Sequence, residues 1–419
     1  MRLICGVGAS VVAVGLALLV GPAARAAEQA ESGWRRCTSC LGRADVAGAR
    51  EALEERGIEL AIGITAVWQA NHRGGVRSHP EGKLTTSWDL SAALDTETLG
   101  LWPGGTAFVY LEGTKGSGIE ARPYVGSLFG VNADASGRSD HHAQFSEYWY
   151  QHTFGEGLLA VKVGKIDSTV DFDINAFAND ECTQFLNGAL VNNPSVPFPD
   201  YALGAQAIVR PGGGLYAAVG AFDANADGAT SGRDTALVAD SDWFVVAEAG
   251  IELAIPAGGD ASLPGSYRVG AWHDPTRYLD PATEESRKGE SGWYASVDQM
   301  VFRESADNES SQGLGLFARY GYAPDDYSGV EHFWSVGAQY QGLIPTRDDD
   351  VLGIGLAQGK LGRRTRRTTR YDNETVVECF YNIAVAGGAA LTLDLQYVRH
   401  PGAALASSLV PGLRFQLDF

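Results

Sequence analysis

Ile58–Gln69 reads IELAIGITAVWQ. Ile58, Leu60, Ile62, Ile64, Ala66 and Trp68 fall on one side, and Glu59, Ala61, Gly63, Thr65, Val67 and Gln69 on the other. A two-residue period held this long describes a strand whose faces meet different surroundings. The same pattern recurs in WFVVAEAGIELAI, residues 243–255, and in LRFQLDF, which ends the chain at Phe419. Counting such segments gives about sixteen: 58–69, 85–96, 105–113, 144–153, 157–166, 203–211, 214–223, 243–255, 266–274, 292–303, 313–322, 332–343, 351–360, 374–386, 390–400 and 408–419. Most approach the ~9–11 residues that a tilted strand needs to cross a bilayer, whereas strands of soluble sheets run nearer ~5–6.

The connections carry a second signal. Links 70–84, 114–143, 167–202 and 224–242 are long, and those between them (97–104, 154–156, 212–213 and 256–265) are short. Long outer loops alternating with short periplasmic turns are the layout of an outer-membrane barrel. In hydrocarbon every backbone N–H and C=O must be paired, so a spanning sheet must close. The expected fold is therefore all-β: a transmembrane antiparallel β-barrel of about sixteen strands. A ring of that size is too wide for side chains alone to fill. Trp68, Trp243, Trp293 and Tyr397 are candidates for the aromatic belts at its rims.

Composition agrees. The 419 residues include 53 Gly and carry a formal net charge of −19. The acid excess argues against nucleic acid as a partner, and a hydrophobic content of 45% argues against a disordered chain. Beyond the first 21 positions no apolar run is long enough for a membrane helix. Arg2, the apolar stretch Leu3–Val20 and the small residues Ala24 and Ala26 have the parts of a secretory signal, with cleavage expected after Ala26. The chain thus divides into a signal peptide (1–26), an N-terminal segment (27–57) and the barrel (58–419). The segment 27–57 contains a short helix at 45–56, capped by Asp45 and stopped by Gly57, together with Cys37 and Cys40. In an exported protein that pair is expected to form a local disulfide, and Cys182 and Cys379 read as unpaired or structural. No metal site or cofactor is expected.

Several stretches are similar to the OprB-type carbohydrate-selective porins of Gram-negative outer membranes. They are GLIPTRDDDVLGIGLAQGK (Gly342–Lys360), ETVVECFYNIAV (Glu374–Val385), LDLQYVRHPG (Leu393–Gly402) and LVPGLRFQLDF (Leu409–Phe419). VKVGKIDSTVDFD (Val161–Asp173), AFANDECTQFLN (Ala176–Asn187) and the earlier GI…NHRGG (Gly57–Gly75) fit as well. The resemblance implies passive diffusion of small sugars such as glucose through a narrowed pore, with no chemistry and no energy input. It extends neither to the Cys37/Cys40 pair nor to the arginine-rich stretch 363–370.

A channel selects by width, charge and wall chemistry. Link 167–202, with Phe172, Asn175, Phe177 and Phe185, is too apolar to sit in water and is expected to fold into the lumen as a constriction. Alternation turns Glu59, Glu112, Lys162, Arg210, Glu248, Arg268, Trp272, Asp298, Arg319, Glu378, Asn382, Asp394 and Arg414 inward. Both signs of charge offer sugar hydroxyls acceptors and donors, and Trp272 near Arg268 could stack on a pyranose face. The run RRTRRTTR (Arg363–Arg370) lies in an outer link and is expected to pair at the surface, with lipopolysaccharide or with Asp325 and Asp326. Outer-membrane lipid is the other expected partner, and the sequence leaves a homotrimer open. The competing function is a general or ion-selective porin. A barrel enzyme would need a serine or carboxylate beside a histidine at the rim, and none of the 8 His stands in a G-x-S-x-G context. A surface binding protein would want larger, repeat-rich outer loops.

Overall fold

The structure, a computed structural model, describes residues 49–120, 124–135, 143–238, 241–258, 261–279, 286–305, 308, 310–324, 329–386 and 388–419. The expected signal peptide, Cys37, Cys40, the cap Asp45, Asp325 and Asp326 lie outside these residues. A short helix α1 (Ala49–Glu54) precedes β1 (Ile58–Asn71), β2 (His79–Asp95), β3 (Gly105–Gly116), β4 (Gln144–Phe154), β5 (Leu159–Ile166), β6 (Ala202–Gly212), β7 (Leu215–Asp223) and β8 (Trp243–Gly258). The second half contains β9 (Ala261–Leu279), β10 (Ser286–Arg303), β11 (Gly313–Tyr322), β12 (Val330–Gln341), β13 (Val351–Leu361), β14 (Asn373–Ala386), β15 (Ala389–Arg399) and β16 (Ala406–Asp418).

Each strand pairs antiparallel with its sequence neighbours, and β1 closes the ring against β16 from Gly63↔Asp418 to Gln69↔Gly412. The result is a closed antiparallel barrel of sixteen strands, with one three-residue strand, Arg73–Gly75, added at the rim beside β16. Closure satisfies the ladder of every strand, so no unpaired edge faces lipid. The two-residue period then sorts the side chains: Leu60, Ile62 and Ile64 are exposed on the outside of β1, while Ala61, Thr65 and Val67 are buried on the inside. In β16, Leu413 and Phe415 face out and Arg414 and Gln416 face in.

Three expectations about the links need correction. The hairpin β9–β10 is longer than 266–274 and 292–303, because pairing runs on to Arg277↔Lys288 and Leu279↔Ser286. Above the lipid surface both faces meet water, so the alternation that marks a spanning strand fades while the ladder continues. The first outer link is short rather than long, since β2 begins at His79. The Asn71 side chain tightens it by donating to the carbonyls of Gly74, Arg77 and Tyr124 at 2.9–3.0 Å. The link 114–143, read only as an outer loop, contributes residues 124–135 to the interior. The inside is consequently packed rather than open. Three buried clusters join strand residues to loop residues, for example Phe185, Leu190 and Val191 with Phe317, Phe333 and Phe380.

Candidate functional site

Loop 167–201 lies against the inner wall. Asp167 starts it by capping the turn Ser168–Val170, accepting from Thr169 N at 2.7 Å, and Asn187 caps the short helix Gly188–Val191 by accepting from Ala189 N at 3.0 Å. Asp173 takes a positive φ of 54° at the bend between the first turn and the rest of the loop. Irregular backbone at membrane depth requires partners for its free N–H and C=O groups, and the inward side chains supply them. Arg319 on β11 donates to Leu190 O, Val191 O, Asp173 O and Asn179 Oδ1 at 2.8–3.1 Å. Arg414 on β16 donates to Glu181 O at 2.7 Å and Gln184 O at 2.9 Å. Glu378 on β14 accepts from Leu186 N and Asn187 N at 2.6 and 2.9 Å. Glu248 on β8 accepts from Asp173 N and from the hydroxyls of Tyr216 and Tyr294. Lys162 on β5 pairs with Asp171 at 2.6 Å.

Residues 124–135 form a second layer. Ala133 N donates to Leu186 O at 2.8 Å, Gly188 N donates to Gly130 O at 3.2 Å, and Gln69 and Gln396 on the wall both donate to Val131 O. Wall glycines make room for both layers. A Cβ at Gly315 would overlap the Phe177 ring, one at Gly359 the Phe129 ring, and one at Gly355 would come within 2.8–2.9 Å of Leu190 and Phe185.

What remains is a cavity of about 830 Å³ between loop 167–201 and the β3–β4 wall. Its lining includes Glu112, Asp134, Asp167, Asp180, Glu181, Asp200 and Asp298, the amides of Asn175, Asn179 and Gln184, and the rings of Phe198 and Tyr201. Among the described lining residues the cation is Arg268, and it is tied to Asp298 at 3.3 Å. Burial pushes the loop carboxyls Asp134 and Asp173 up to about 7 and raises Asp180 as well. For Asp173 the opposing pull comes first from Arg319.

The inward candidates therefore divide by environment. Glu112, Arg268, Asp298 and Asn175 line the cavity. Lys162, Glu248, Arg319, Glu378 and Arg414 face inward but are spent on the loop. Asn382 and Asp394 are buried, Asn382 donating to Thr392 Oγ1 and Asp394 accepting from Gln396. Glu59 is half-buried near the start of β1. Arg210 sits near the end of β6, its guanidinium 6.0 Å from the Tyr216 ring centre. Trp272 offers no free face: it is 3% exposed and packs beside Phe244, in a cluster that includes the loop residue Val196 and Ala202 at the start of β6. Phe172 and Phe185 are fully buried anchors of the loop, and Phe177 is half-buried against Gly315. Arg366 of the arginine-rich stretch reaches Glu331 at 3.7 Å, beside Lys360 at 2.8 Å. Cys379 is free, whereas Cys182 is disulfide-bonded, so of the two readings, unpaired or structural, Cys379 takes the first and Cys182 the second.

Sequence reasoning missed the wall amides Gln69, Gln339 and Gln396 and the carboxylate Glu374, all of which hold loop backbone. It also missed the glycines opposite the loop. Their signal was present as glycine recurring at inward positions of β11 and β13.

Comparison with known proteins gives a consistent picture. The chain is 24% identical to Porin B of Pseudomonas aeruginosa, covering 96% of this chain and 95% of that protein. It superposes on the high-pH structure of Pseudomonas putida OprB with a TM-score of 0.77 at 21% identity, over 90% of this chain and 99% of the other. For the low-pH structure the TM-score is 0.57 at 18% identity, over 89% and 96%. Residues 82–419 match the family described as "Carbohydrate-selective porin, OprB family". A closed barrel with an inner loop and relatives of this kind place the protein in the outer membrane as a passive channel rather than an enzyme, and the chain belongs to the OprB family of carbohydrate-selective porins.

Proposed function

We propose that small sugars, glucose among them, cross the outer membrane by diffusion through the cavity beside loop 167–201. The observation that carries this reading is the lining: carboxylates and amides that accept hydroxyl hydrogen bonds, set beside the rings of Phe198 and Tyr201. A sugar offers several hydroxyl donors and an apolar ring face, and such a wall answers both. The volume lies within the ~300–1,000 Å³ typical of small-molecule sites. Glu112, Arg268, Asp298 and Asn175 act as selecting residues. Phe172, Phe177 and Phe185 act indirectly, by seating the loop.

Export follows cleavage after Ala26. Lipid covers the apolar belt, and the arginines of 363–370 meet lipopolysaccharide at the outer rim. Assembly into trimers is compatible with the barrel and is read by cross-linking in native membranes.

The test is ion current through single channels in planar bilayers under rising glucose. Glucose should reduce the current in a saturable way. Free ion flow with no effect of glucose would remove the sugar reading. A second reading, general diffusion with a preference for cations, is favoured by the acid excess of the cavity lining. Reversal potentials in a potassium chloride gradient measure it directly.

A further inference from the structure

We propose that the link between β7 and β8 hooks over the rim of the barrel onto its outer wall and seats Leu237 and Val238 among the lipid acyl chains of the outer leaflet. The link starts inside, where Ala224 and Ala226 pack against the inner cluster that contains Phe222 and Val196. It crosses the rim at Gly228, where a Cβ would come within 2.9 Å of the Asp200 carboxylate at the edge of the cavity. Beyond Gly228 it lies on the outside. Lys165 pairs with Tyr148 and with Leu203 across β4, β5 and β6, and alternation from the inward Lys162 turns all three outward. The Tyr148 hydroxyl donates to Ser231 O at 2.6 Å. Gly232, at a φ of 76°, lets the backbone settle on Leu203, since a Cβ there would stand 3.0 Å from that side chain.

Lys165 fastens the link. It is fully buried although it leaves the outer face of its strand. Its Nζ donates to Gly228 O and Thr230 O at 2.7 Å and to Phe145 O at 2.8 Å. An ammonium has three protons to give, and here all three go to backbone carbonyls. A loop in water needs no such help. At the edge of hydrocarbon each free carbonyl has to find its donor within the protein, so the buried cage marks the depth at which the link lies.

The apolar pair fits that depth. The turn Arg233–Ala236 buries Ala236 and leaves Leu237 73% and Val238 47% exposed. Phe145 and Val163 are exposed on the adjoining wall, and Trp243 of the aromatic belt follows five residues after Val238. Link and wall together continue the apolar belt, so the occupant that reaches Leu237 and Val238 is the acyl layer that lies against Val163. Arg233 and Asp234, exposed at the start of the turn, belong at headgroup level.

The test uses the mature full-length protein with Cys379→Ser, reconstituted in phosphatidylcholine vesicles. Leu237→Cys is labelled with a nitroxide, and the signal of the Cys379→Ser parent is subtracted. Dissolved oxygen should relax this label more strongly than a water-soluble nickel chelate does. Stronger relaxation by the chelate puts residue 237 in water, and protection from both reagents puts it under protein; either result overturns the proposal. The inference rests on the reading that lipid covers the apolar belt, and Val163→Cys on the same wall separates the two. Oxygen preference at 163 without it at 237 removes the anchor alone, whereas chelate preference at both removes the belt as well. Lys165→Met should shift the label at 237 toward the chelate and speed hydrogen exchange of the Ala236 amide, which donates to Gly232 O, by about 10–100-fold. Tyr148→Phe, which keeps the lysine, should act in the same direction by about 2–10-fold. Unchanged exchange and relaxation in whichever of these variants folds would refute the fastening.

Discussion

Arg319→Met tests how the constriction is held. Arg319 is 2% exposed and bonds three loop carbonyls and the Asn179 side chain, with Asp173 Oδ2 3.7 Å from its Nε. Methionine keeps the apolar stem and removes every donor. Each stranded acceptor costs roughly 1–3 kcal/mol if it stays dry. Those costs do not add, because the loop can shift to let water in. Removing one partner of a buried ion pair costs about 3–5 kcal/mol, and this is the better guide for the whole change. At 1.4 kcal/mol per decade, the loop's open population rises by about 10²–10⁴-fold. Hydrogen exchange of the reconstituted protein reads this at Leu190 and Val191, whose amides donate to Asn187 O in the native loop. Both should exchange about 10²–10⁴-fold faster, since exchange follows the local opening free energy. The strand amides, held by their ladders, should not change. Unaltered exchange at Leu190 and Val191 would mean that Arg319 does not fasten the loop.

Other expectations follow from the same geometry. Gly315→Val pushes a side chain into the Phe177 ring and should cost about 1–3 kcal/mol, seen as protease cleavage within 167–201 that the wild type resists. Leu395, 48% exposed at the middle of β15, faces lipid; Leu395→Lys should destabilise the barrel by about 2–4 kcal/mol in a urea titration in bilayers, and a change near zero would contradict the assigned face. Asp134 has its pKa raised to about 7 by burial, above its unfolded value. Protonation therefore favours the fold: this contribution is present at low pH and is lost as pH rises from about 4 to about 7. The same titration adds negative charge to the cavity, so cation preference should grow between pH 6 and 8, and Asp134→Asn should flatten that slope in reversal-potential measurements.

The barrel was legible because the bilayer imposes it. Only a surrounding of fat outside and polar groups inside sustains the alternation of Ile58–Gln69 or Leu413–Phe419, and counting such segments added the number of strands. The interior was legible only in outline. Alternation says that Arg319 and Glu378 point inward, but not that loop backbone awaits them there. Trp272 was misjudged for the same reason: an inward aromatic looks like a stacking surface until it is found buried beside Phe244. Loop 117–143 gave no warning, since Val131 and Ala133 enter the lumen through backbone bonds to Gln69, Gln396 and Leu186, which leave no pattern in the sequence. Among the described residues, most of the inward bases are spent holding the loop, so the described lining of the cavity is more acidic than an even mixture of inward charges suggests.

The central claim is that a lipid-sealed ring of strands encloses a watery passage whose width is set by the seated loop. Swelling of liposomes in a graded series of sugars, for the wild type and Arg319→Met side by side, tests it most directly. The account predicts that glucose enters faster than di- and trisaccharides through the wild type, and that the variant admits the larger sugars at a raised rate. Equal rates for all sizes in the wild type, or an identical size profile in the variant, would contradict it.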